Sequence, residues 1–255
     1  MKLLVWNDGR VIEASQFRLD RPYVMQRIHT LGHKVYNISA HVEMLREDSM
    51  RMFGFASLCC AADAKHIVER LLVLSRVSPR LSCPVVMRLT SDGALSFEVE
   101  KPLYDTGIQL RARRFSGVEI PMHTPDTMCQ TSVSVATDAM VSAIVEKRGG
   151  DVAIWVDAAG DVISLPWRPI FAIYSGRIYT PCAYNTVEYS SVVEAINRLN
   201  LELIIRNIPI GSLQRMDEVF LADVMAVSSL SAVKKHRLLS VVTTRIVSKM
   251  EPKGF

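Results

Sequence analysis

The sequence predicts an α+β protein of two domains, and three observations support this. At 255 residues the chain is long for one compact core. Short apolar runs around tight turns indicate β-hairpins, and apolar residues at helical spacing indicate helices between them. Two prolines and little periodicity mark residues 117–125 as a connecting segment. We therefore expect an N-terminal α+β domain over residues 1–118, a linker over 119–127 and a C-terminal domain over 128–255.

The predicted N-terminal domain contains hairpins followed by helices and further strands. The Asn-Asp-Gly sequence at residues 7–9 predicts a hairpin turn, and a second hairpin is expected around residues 30–33. Apolar residues at helical spacing predict one helix over residues 41–53, ending at Gly54, and a second over 61–74. Strands are predicted at residues 84–90, 94–99 and 108–115.

The predicted C-terminal domain begins with a helix over residues 132–148, which two glycines terminate. A short apolar run at residues 152–156, a turn at 157–160 and a return at 162–163 predict a hairpin. A further helix is expected to begin near Thr186. Because the predicted strands and helices follow one another in both halves, both domains are expected to be mixed.

Composition excludes several classes of protein. Hydrophobic residues make up 49% and charged residues 22%, which is typical of a folded globular chain. The net charge is +4, and the basic runs at residues 111–114 and 234–237 are interpreted as solvated faces, so no nucleic-acid partner is predicted. No apolar run is long enough to cross a membrane, and Asp8 argues against a signal peptide. A cytoplasmic protein is expected.

The cysteines predict neither a disulfide framework nor a metal site. Their number is odd and none shows CxxC spacing, so most are interpreted as packing thiols. The five are Cys59, Cys60, Cys83, Cys129 and Cys182.

The hairpin segment, GGDVAIWVDAAGDVISLPWRPIF at residues 149–171, resembles the centre of the class IV aminotransferase family, the fold type IV pyridoxal phosphate (PLP) enzymes. That family includes branched-chain and D-amino-acid aminotransferases and aminodeoxychorismate lyases. The resemblance implies a two-domain fold type IV structure. Further family markers recur in order along the chain. The markers are Asp157, Gly160, Ile170 and Phe171 in the hairpin, and His41, Leu45, Ser49, Gly54, Gly176, Ile178, Thr180 and Pro181 elsewhere.

The residues that would hold PLP in this family are replaced at every matching position. The resemblance aligns the phosphate-binding arginine with Met44, the Schiff-base lysine with Gln130, and the glutamate beside the pyridine nitrogen with Ser164. Glu188 stands at the helix start that would bind phosphate, and Val224 stands near a phosphate-binding hydroxyl position. A carboxamide forms no imine and transfers no proton, so we predict that PLP-dependent transamination is lost and that the protein uses no cofactor.

Three hypotheses for the remaining function stay open. In the first, the protein is a cofactor-independent enzyme acting on a small amino-acid-derived or carboxylate substrate. Its candidate catalytic residues are Cys129, Gln130, Glu188 and Tyr189, and its candidate substrate-binding residues are Ser164, Arg168, Trp167, Met44 and His123. A helix start would lower the pKa of the Cys129 thiol, and Arg168 would pair with a substrate carboxylate.

In the second hypothesis, the protein is a catalytically inactive pseudoenzyme that serves as a binding or regulatory subunit. Met44 and Val224, which replace polar phosphate ligands, favour a pocket filled by apolar side chains. In the third, another lysine such as Lys234 carries PLP. The resemblance also implies a homodimer, and His41 is interpreted as a residue that holds its domain together.

Overall fold

The computed structural model describes residues 2–102, 107–111, 114–122, 128–234 and 236–252. No helix in these ranges is long and apolar enough to cross a membrane.

The described residues form two compact units. The first unit comprises those of Met1–Gly107 together with Cys129–Ser134, and the second those of Ile108–Met128 and Val135–Lys253. Both units combine helices with strands, as the sequence predicted.

The first unit is built on a six-stranded antiparallel sheet in the order β2-β1-β6-β5-β3-β4. Its first hairpin turns at Asp8 and Gly9, both with positive φ, as the Asn-Asp-Gly sequence predicted. The strands are β1 (Leu4–Asn7), β2 (Arg10–Glu13), β3 (Tyr23–Leu31), β4 (Lys34–Val35), β5 (Ser82–Thr90) and β6 (Leu95–Val99).

Two helices, α1 (Ile38–Phe53) and α2 (Ala61–Leu74), pack on one face of this sheet. The α1 helix ends at Gly54, whose φ of 76° is favourable for glycine, and the α2 helix has the predicted bounds. Buried apolar side chains from both helices and from alternate strand positions form one core cluster, which includes Ile28, Leu45, Leu72, Met87 and Phe97.

The second unit is built on a nine-stranded mixed sheet whose main path runs β12-β11-β10-β13-β14-β8-β9. Two short strands, β7 and β15, both pair with β14. The strands are β7 (Gln109–Leu110), β8 (Phe115–Pro121), β9 (Val152–Val156), β10 (Ile170–Tyr174), β11 (Arg177–Thr180), β12 (Leu203–Ile205), β13 (Glu218–Ala222), β14 (Ala226–Val233) and β15 (His236–Arg237).

Three helices accompany this sheet. Val141 and Val145 of α3 (Ser132–Lys147) pack against Ile120 and Trp155 of β8 and β9. The apolar faces of α4 (Val187–Arg198) and α5 (Val241–Val247) share a second cluster with Phe171 and Phe220 from the strands. The helices therefore bury alternate positions of the strands, which is the pattern expected of a layered α+β unit.

The segment before α3 differs from its prediction. The sequence predicted a strand over residues 108–115 and a linker over 119–127, whereas β8 spans Phe115–Pro121 and lies between β9 and β14. Glycine and proline obscured this strand, but Pro121 lies at its end, where the loss of one N–H is tolerated. Gly117 is closely packed, since a Cβ there would lie 2.5 Å from the terminal methyl of Ile154, which would have to shift. Residues 123–127 of the predicted linker are outside the described residues.

A buried carboxylate holds the start of α5. Glu218 of β13 is 2% exposed, and its two oxygens accept the backbone N–H groups of Val242 and Thr243 at 2.8 Å each. The Thr243 hydroxyl donates to the same carboxylate at 2.7 Å. Because the first amides of a helix have no partner within the helix, Glu218 satisfies groups that would otherwise be buried without one.

We expect Glu218→Ala to lower the free energy of unfolding by about 3 kcal/mol, because it leaves buried donors without a charged acceptor. Urea denaturation would measure the change. The matched control is Glu202→Ala, which removes an exposed carboxylate paired with Arg177 at 2.9 Å and should cost less than about 1 kcal/mol. Equal losses in the two variants would contradict this assignment.

Candidate functional site

The most informative part of the second unit is the hairpin loop, defined here as Ser164–Pro169, between the β9 return and β10. The hairpin prediction is confirmed up to this loop: β9 ends at Val156, and Ile163 N–H donates to the Trp155 carbonyl at 2.8 Å. Arg168 N–H then donates to the Leu165 carbonyl at 3.0 Å, which closes a tight turn. The turn puts Trp167 and Arg168 next to each other before β10 begins.

The polar groups of Ser164 are committed to the backbone of the hairpin. Ser164 is 1% exposed, and its hydroxyl oxygen accepts the Ile170 N–H at 3.2 Å. Its carbonyl accepts the Tyr184 hydroxyl at 2.5 Å. The Thr186 hydroxyl donates to the Pro166 carbonyl at 3.0 Å. These bonds tie the hairpin loop to the segment that begins α4, so Ser164 has a structural role beside its position in the site.

The start of α4 carries the predicted pair Glu188 and Tyr189. Thr186 caps the helix by accepting the Tyr189 N–H at 3.4 Å, and Glu188 is buried in the first turn. The Tyr189 ring stacks on Phe171, with centroids 5.7 Å apart, and meets Tyr184 edge-on at 6.2 Å. Burial raises the pKa of both tyrosines, so their hydroxyls stay protonated at neutral pH. Tyr189 is therefore a proton donor rather than a base.

Arg168 is a partly buried cation whose guanidinium forms no hydrogen bond or ion pair with any other described residue. Burial lowers its pKa most, and the charge of Arg111 lowers it as well. The charges of Asp223 and Asp138 raise it. An arginine remains charged under these conditions. The hairpin loop thus holds a positive charge without a direct counter-ion.

Asp138 of α3 belongs to the same group of charges. Burial raises the pKa of its carboxyl group, while the Arg168 charge and the Trp167 indole N–H lower it. The buried indole nitrogen forms no hydrogen bond of normal geometry. Burial is therefore the main influence on the pKa of Asp138. A carboxyl group with a raised pKa beside an arginine is suited to proton transfer.

Asp223 and Arg111 complete this group. Asp223 follows β13, and one of its oxygens meets an Arg111 guanidinium nitrogen at 2.5 Å. Arg111 also donates to the Ser228 hydroxyl. The basic run at residues 111–114 was interpreted as a solvated face, and this is wrong for Arg111, whose side chain is 20% exposed. Arg114 is likewise committed, donating to the backbone carbonyl of Leu230 at 3.0 Å.

The sequence analysis missed Arg111, Asp138 and Asp223 as members of the site. Arg111 and Asp223 lie 112 positions apart, and no local spacing connects them. Asp138 lies on a helix whose apolar pattern indicated only packing. The one available signal was that Asp138 is the sole acidic residue of α3 before its last turn.

The remaining predicted site residues belong to the first unit or lie outside the described residues. Cys129 is 5% exposed, and the Gln130 carbonyl accepts the Met25 N–H at 2.9 Å. Thr131 and Ser134 cap the start of α3, with Ser134 N–H donating to the Thr131 hydroxyl at 3.2 Å. Met44 is half-buried on α1. His123 is outside the described residues.

His41 lies in a buried polar group of the first unit. Its Nδ1 is 3.3 Å from the Gln26 amide oxygen, and the Gln26 amide nitrogen donates to Asp48 at 2.9 Å. With the Gln26 oxygen as acceptor, Nδ1 carries the proton, and Nε2 is a buried acceptor that no described group meets. Burial, together with the nearby charge of His29, lowers the pKa of His41 to about 3. The interpretation of His41 as a structural residue agrees with these contacts.

The comparison with protein families establishes which family the chain belongs to. The amino-transferase class IV model matches residues 24–229, which is more than half of the chain. The chain belongs to the class IV aminotransferase family. A search of curated proteins finds no match.

Solved structures of aminotransferases share the fold at low sequence identity. A branched-chain aminotransferase from Thermoproteus uzoniensis, with norvaline, is 18% identical over 97% of this chain and 93% of its own, with a TM-score of 0.79. An aminotransferase from Brucella abortus bound to PLP is 13% identical over 98% of both chains, at 0.78. A hypothetical aminotransferase from Mycobacterium tuberculosis is 13% identical over 96% and 97%, at 0.77. The predicted fold type IV structure is therefore confirmed.

We expect the free energy of unfolding of this class IV homologue to decrease as the pH falls, because of His41. Between the ordinary pKa of 6.5 and about 3, the unfolded chain binds a proton that folded His41 does not. The free energy of unfolding should therefore decrease as the pH falls from 6.5 towards 3, by about 2 kcal/mol between pH 7 and pH 5. Urea denaturation at several pH values would measure this slope.

His41→Gln should remove that part of the slope, whatever its effect on stability at pH 8. The matched control is His66→Gln, which changes an exposed histidine on α2. If His41→Gln retained the parental slope, His41 would not be the group that binds the proton on unfolding.

Proposed function

We propose that this class IV homologue has lost PLP-dependent transamination and acts as a cofactor-independent enzyme on a small amino-acid-derived or carboxylate substrate. The observation that carries the proposal is the free guanidinium of Arg168 in the hairpin loop. It is partly buried, it forms no bond to another described residue, and it stands beside a carboxyl group of raised pKa, that of Asp138.

The residues at the family positions for PLP do not fit that cofactor. Ser164 is neutral, and its oxygen accepts the Ile170 N–H, so it supplies no charge to a pyridine nitrogen. Gln130 replaces the lysine, and no lysine occurs between Lys101 and Lys147. The buried carboxylate of Glu188 stands where the resemblance expects phosphate, and like charges in a partly dry pocket repel strongly. We therefore derive no step through PLP.

Arg168 is suited to binding a carboxylate group. Its planar guanidinium presents two parallel N–H donors to such a group, and partial burial strengthens the interaction relative to water. Trp167 adds an apolar surface beside the charge. Asp138 supplies a group able to hold or donate a proton near the bound substrate. In this proposal Arg168 binds and orients the substrate and Asp138 transfers the proton.

A catalytically inactive binding protein is the second candidate, and one observation favours it. The hydroxyls of Ser164, Tyr184 and Thr186 are all committed to backbone groups, so these polar residues are retained for structural reasons as well. Val224 is 5% exposed and offers no polar group. This candidate shares carboxylate binding at Arg168 with the first but requires no turnover.

A PLP enzyme that uses another lysine has less support. Lys234 lies 2.8 Å from a Glu119 oxygen, in a surface cavity of about 330 Å³ that Arg148 and Gly150 also line. The cavity contains none of the residues that the resemblance assigns to PLP. A cytoplasmic location and a homodimer remain proposals that rest on the sequence and on the family.

We expect the purified protein to form no Schiff base with PLP. Absorbance spectra with and without PLP, followed by borohydride reduction and intact-mass measurement, would test this. The expected result is an unchanged spectrum and an unmodified mass, because Gln130 supplies no amine. A covalent PLP adduct in the interior of the protein would show that a lysine holds the cofactor, which would contradict this expectation, and peptide mapping would identify the lysine.

We expect small carboxylates to raise the melting temperature through Arg168. A ligand present at one hundred times its Kd stabilises the folded state by about 2.7 kcal/mol. A panel of 2-oxo, 2-hydroxy and 2-amino acids should include members that raise the melting temperature of the parent protein, and Arg168→Gln should abolish the effect. Arg177→Gln, which changes an exposed arginine of β11, is the matched control and should leave it intact.

Asp138→Asn separates the two candidates once a ligand is identified. For an enzyme, this variant should keep the thermal shift and lose turnover of that ligand by at least about 100-fold. A binding protein predicts no turnover in the parent protein. If no carboxylate stabilises the parent, or if Arg168→Gln keeps the full shift, Arg168 is not the binding residue.

A further inference from the structure

The turn between β13 and β14 directs three hydrogen-bond donors at one carboxylate. One oxygen of Asp223 accepts the backbone N–H groups of Met225 and Ala226 at 2.9 Å each. The other oxygen meets the Arg111 guanidinium at 2.5 Å. Two amides and a guanidinium therefore converge on the same anionic group.

Arg111 is held in this position by its backbone as well as by its side chain. Its N–H donates to the Val227 carbonyl at 2.9 Å, directly after β7 pairs with β14. Its second guanidinium nitrogen donates to the Ser228 hydroxyl. The side chains of Arg111 and Asp223 are only 20% and 19% exposed. The donors are therefore preorganised by two strands rather than gathered by a flexible surface contact.

Convergent amides and a guanidinium are donors that proteins use to bind a carboxylate or phosphate group. We propose that the β13–β14 turn is an anion-binding site that the chain fills with its own Asp223 carboxylate. While Asp223 occupies it, free carboxylates and phosphate groups are excluded. The inference deepens the proposed function and rests on it for one point only. This turn contains Val224, near which the resemblance expects a phosphate-binding hydroxyl.

The internal carboxylate also explains why Arg168 is available for a ligand. Asp223 and Arg111 act on Arg168 with opposite charges, so the two members of the ion pair oppose each other there. Without Asp223, Arg111 and Arg168 would repel each other, and both would attract anions. The occupied turn thus leaves one of the two arginines for binding.

A second aspartate in the same unit provides a matched comparison. One oxygen of Asp157 accepts the N–H groups of Ala159 and Asp161 at 2.9 Å each, which resembles the turn contact that Asp223 makes with Met225 and Ala226. Asp157 is exposed and pairs with no arginine among the described residues. A difference between the two positions therefore reports on the arginine and on burial.

The test is chemical rescue of Asp223→Ala by formate, acetate and inorganic phosphate, measured as melting temperature at constant ionic strength against chloride. The variant should melt lower than the parent, and formate should restore part of the loss in a saturable way. Any saturable shift of the parent should be lost in Arg168→Gln, whereas the rescue of Asp223→Ala should persist when Arg168→Gln is added. Arg111→Gln added to Asp223→Ala should abolish the rescue, and Asp157→Ala should show none.

Three results would overturn the inference. These are no saturable anion effect on Asp223→Ala, equal rescue of Asp157→Ala, and rescue that survives Arg111→Gln. If Asp223→Ala does not fold, Asp223→Asn keeps an oxygen for the turn amides, and formate rescue there should be smaller but still depend on Arg111. A PLP adduct in the parent would contradict the proposed function, whereas rescue tests the turn itself, so the two failures are distinguishable.

Discussion

The hydrogen bonds between the hairpin loop and the start of α4 are the constraint on which the candidate site depends. The Ser164 hydroxyl oxygen accepts the Ile170 N–H, and the Ser164 carbonyl accepts the Tyr184 hydroxyl. The Thr186 hydroxyl donates to the Pro166 carbonyl. Each bond satisfies a buried backbone group, so the loop conformation is specified by groups that are costly to leave without partners. That conformation fixes the direction in which Trp167 and Arg168 leave the loop.

Four charges then determine what this part of the second unit can bind. Arg111 and Asp223 pair directly, while Arg168 and Asp138 influence each other without an ion pair within 4 Å. A partly buried charge without a direct partner costs free energy that the fold must offset elsewhere. Such residues are more often retained for function than for stability. Arg168 and Asp138 meet this description, and Arg111 and Asp223 do not.

Local patterns predicted most elements, and the reason for each success is physical. Gly9 and Gly54 have positive φ, and the apolar residues of α2 have helical spacing. Both features depend only on neighbouring residues along the chain, so they can be predicted from the sequence. The strand β8 was missed because Gly117 and Pro121 interrupt its sequence, while its pairing with β9 and β14 depends on residues far along the chain. Contacts between distant residues, such as Arg111 with Asp223, leave no local pattern to read.

The same distinction governs the site. The resemblance identified Ser164 and Glu188 one position at a time, from their places in the family pattern alone. The hydroxyl of Ser164 is occupied by the backbone, so its presence does not count towards catalysis. What remains is the guanidinium of Arg168, which forms no bond to another described residue, and the half-buried carboxyl group of Asp138. The case for a chemical function therefore rests on the state of two side chains rather than on how many polar residues the family positions retain.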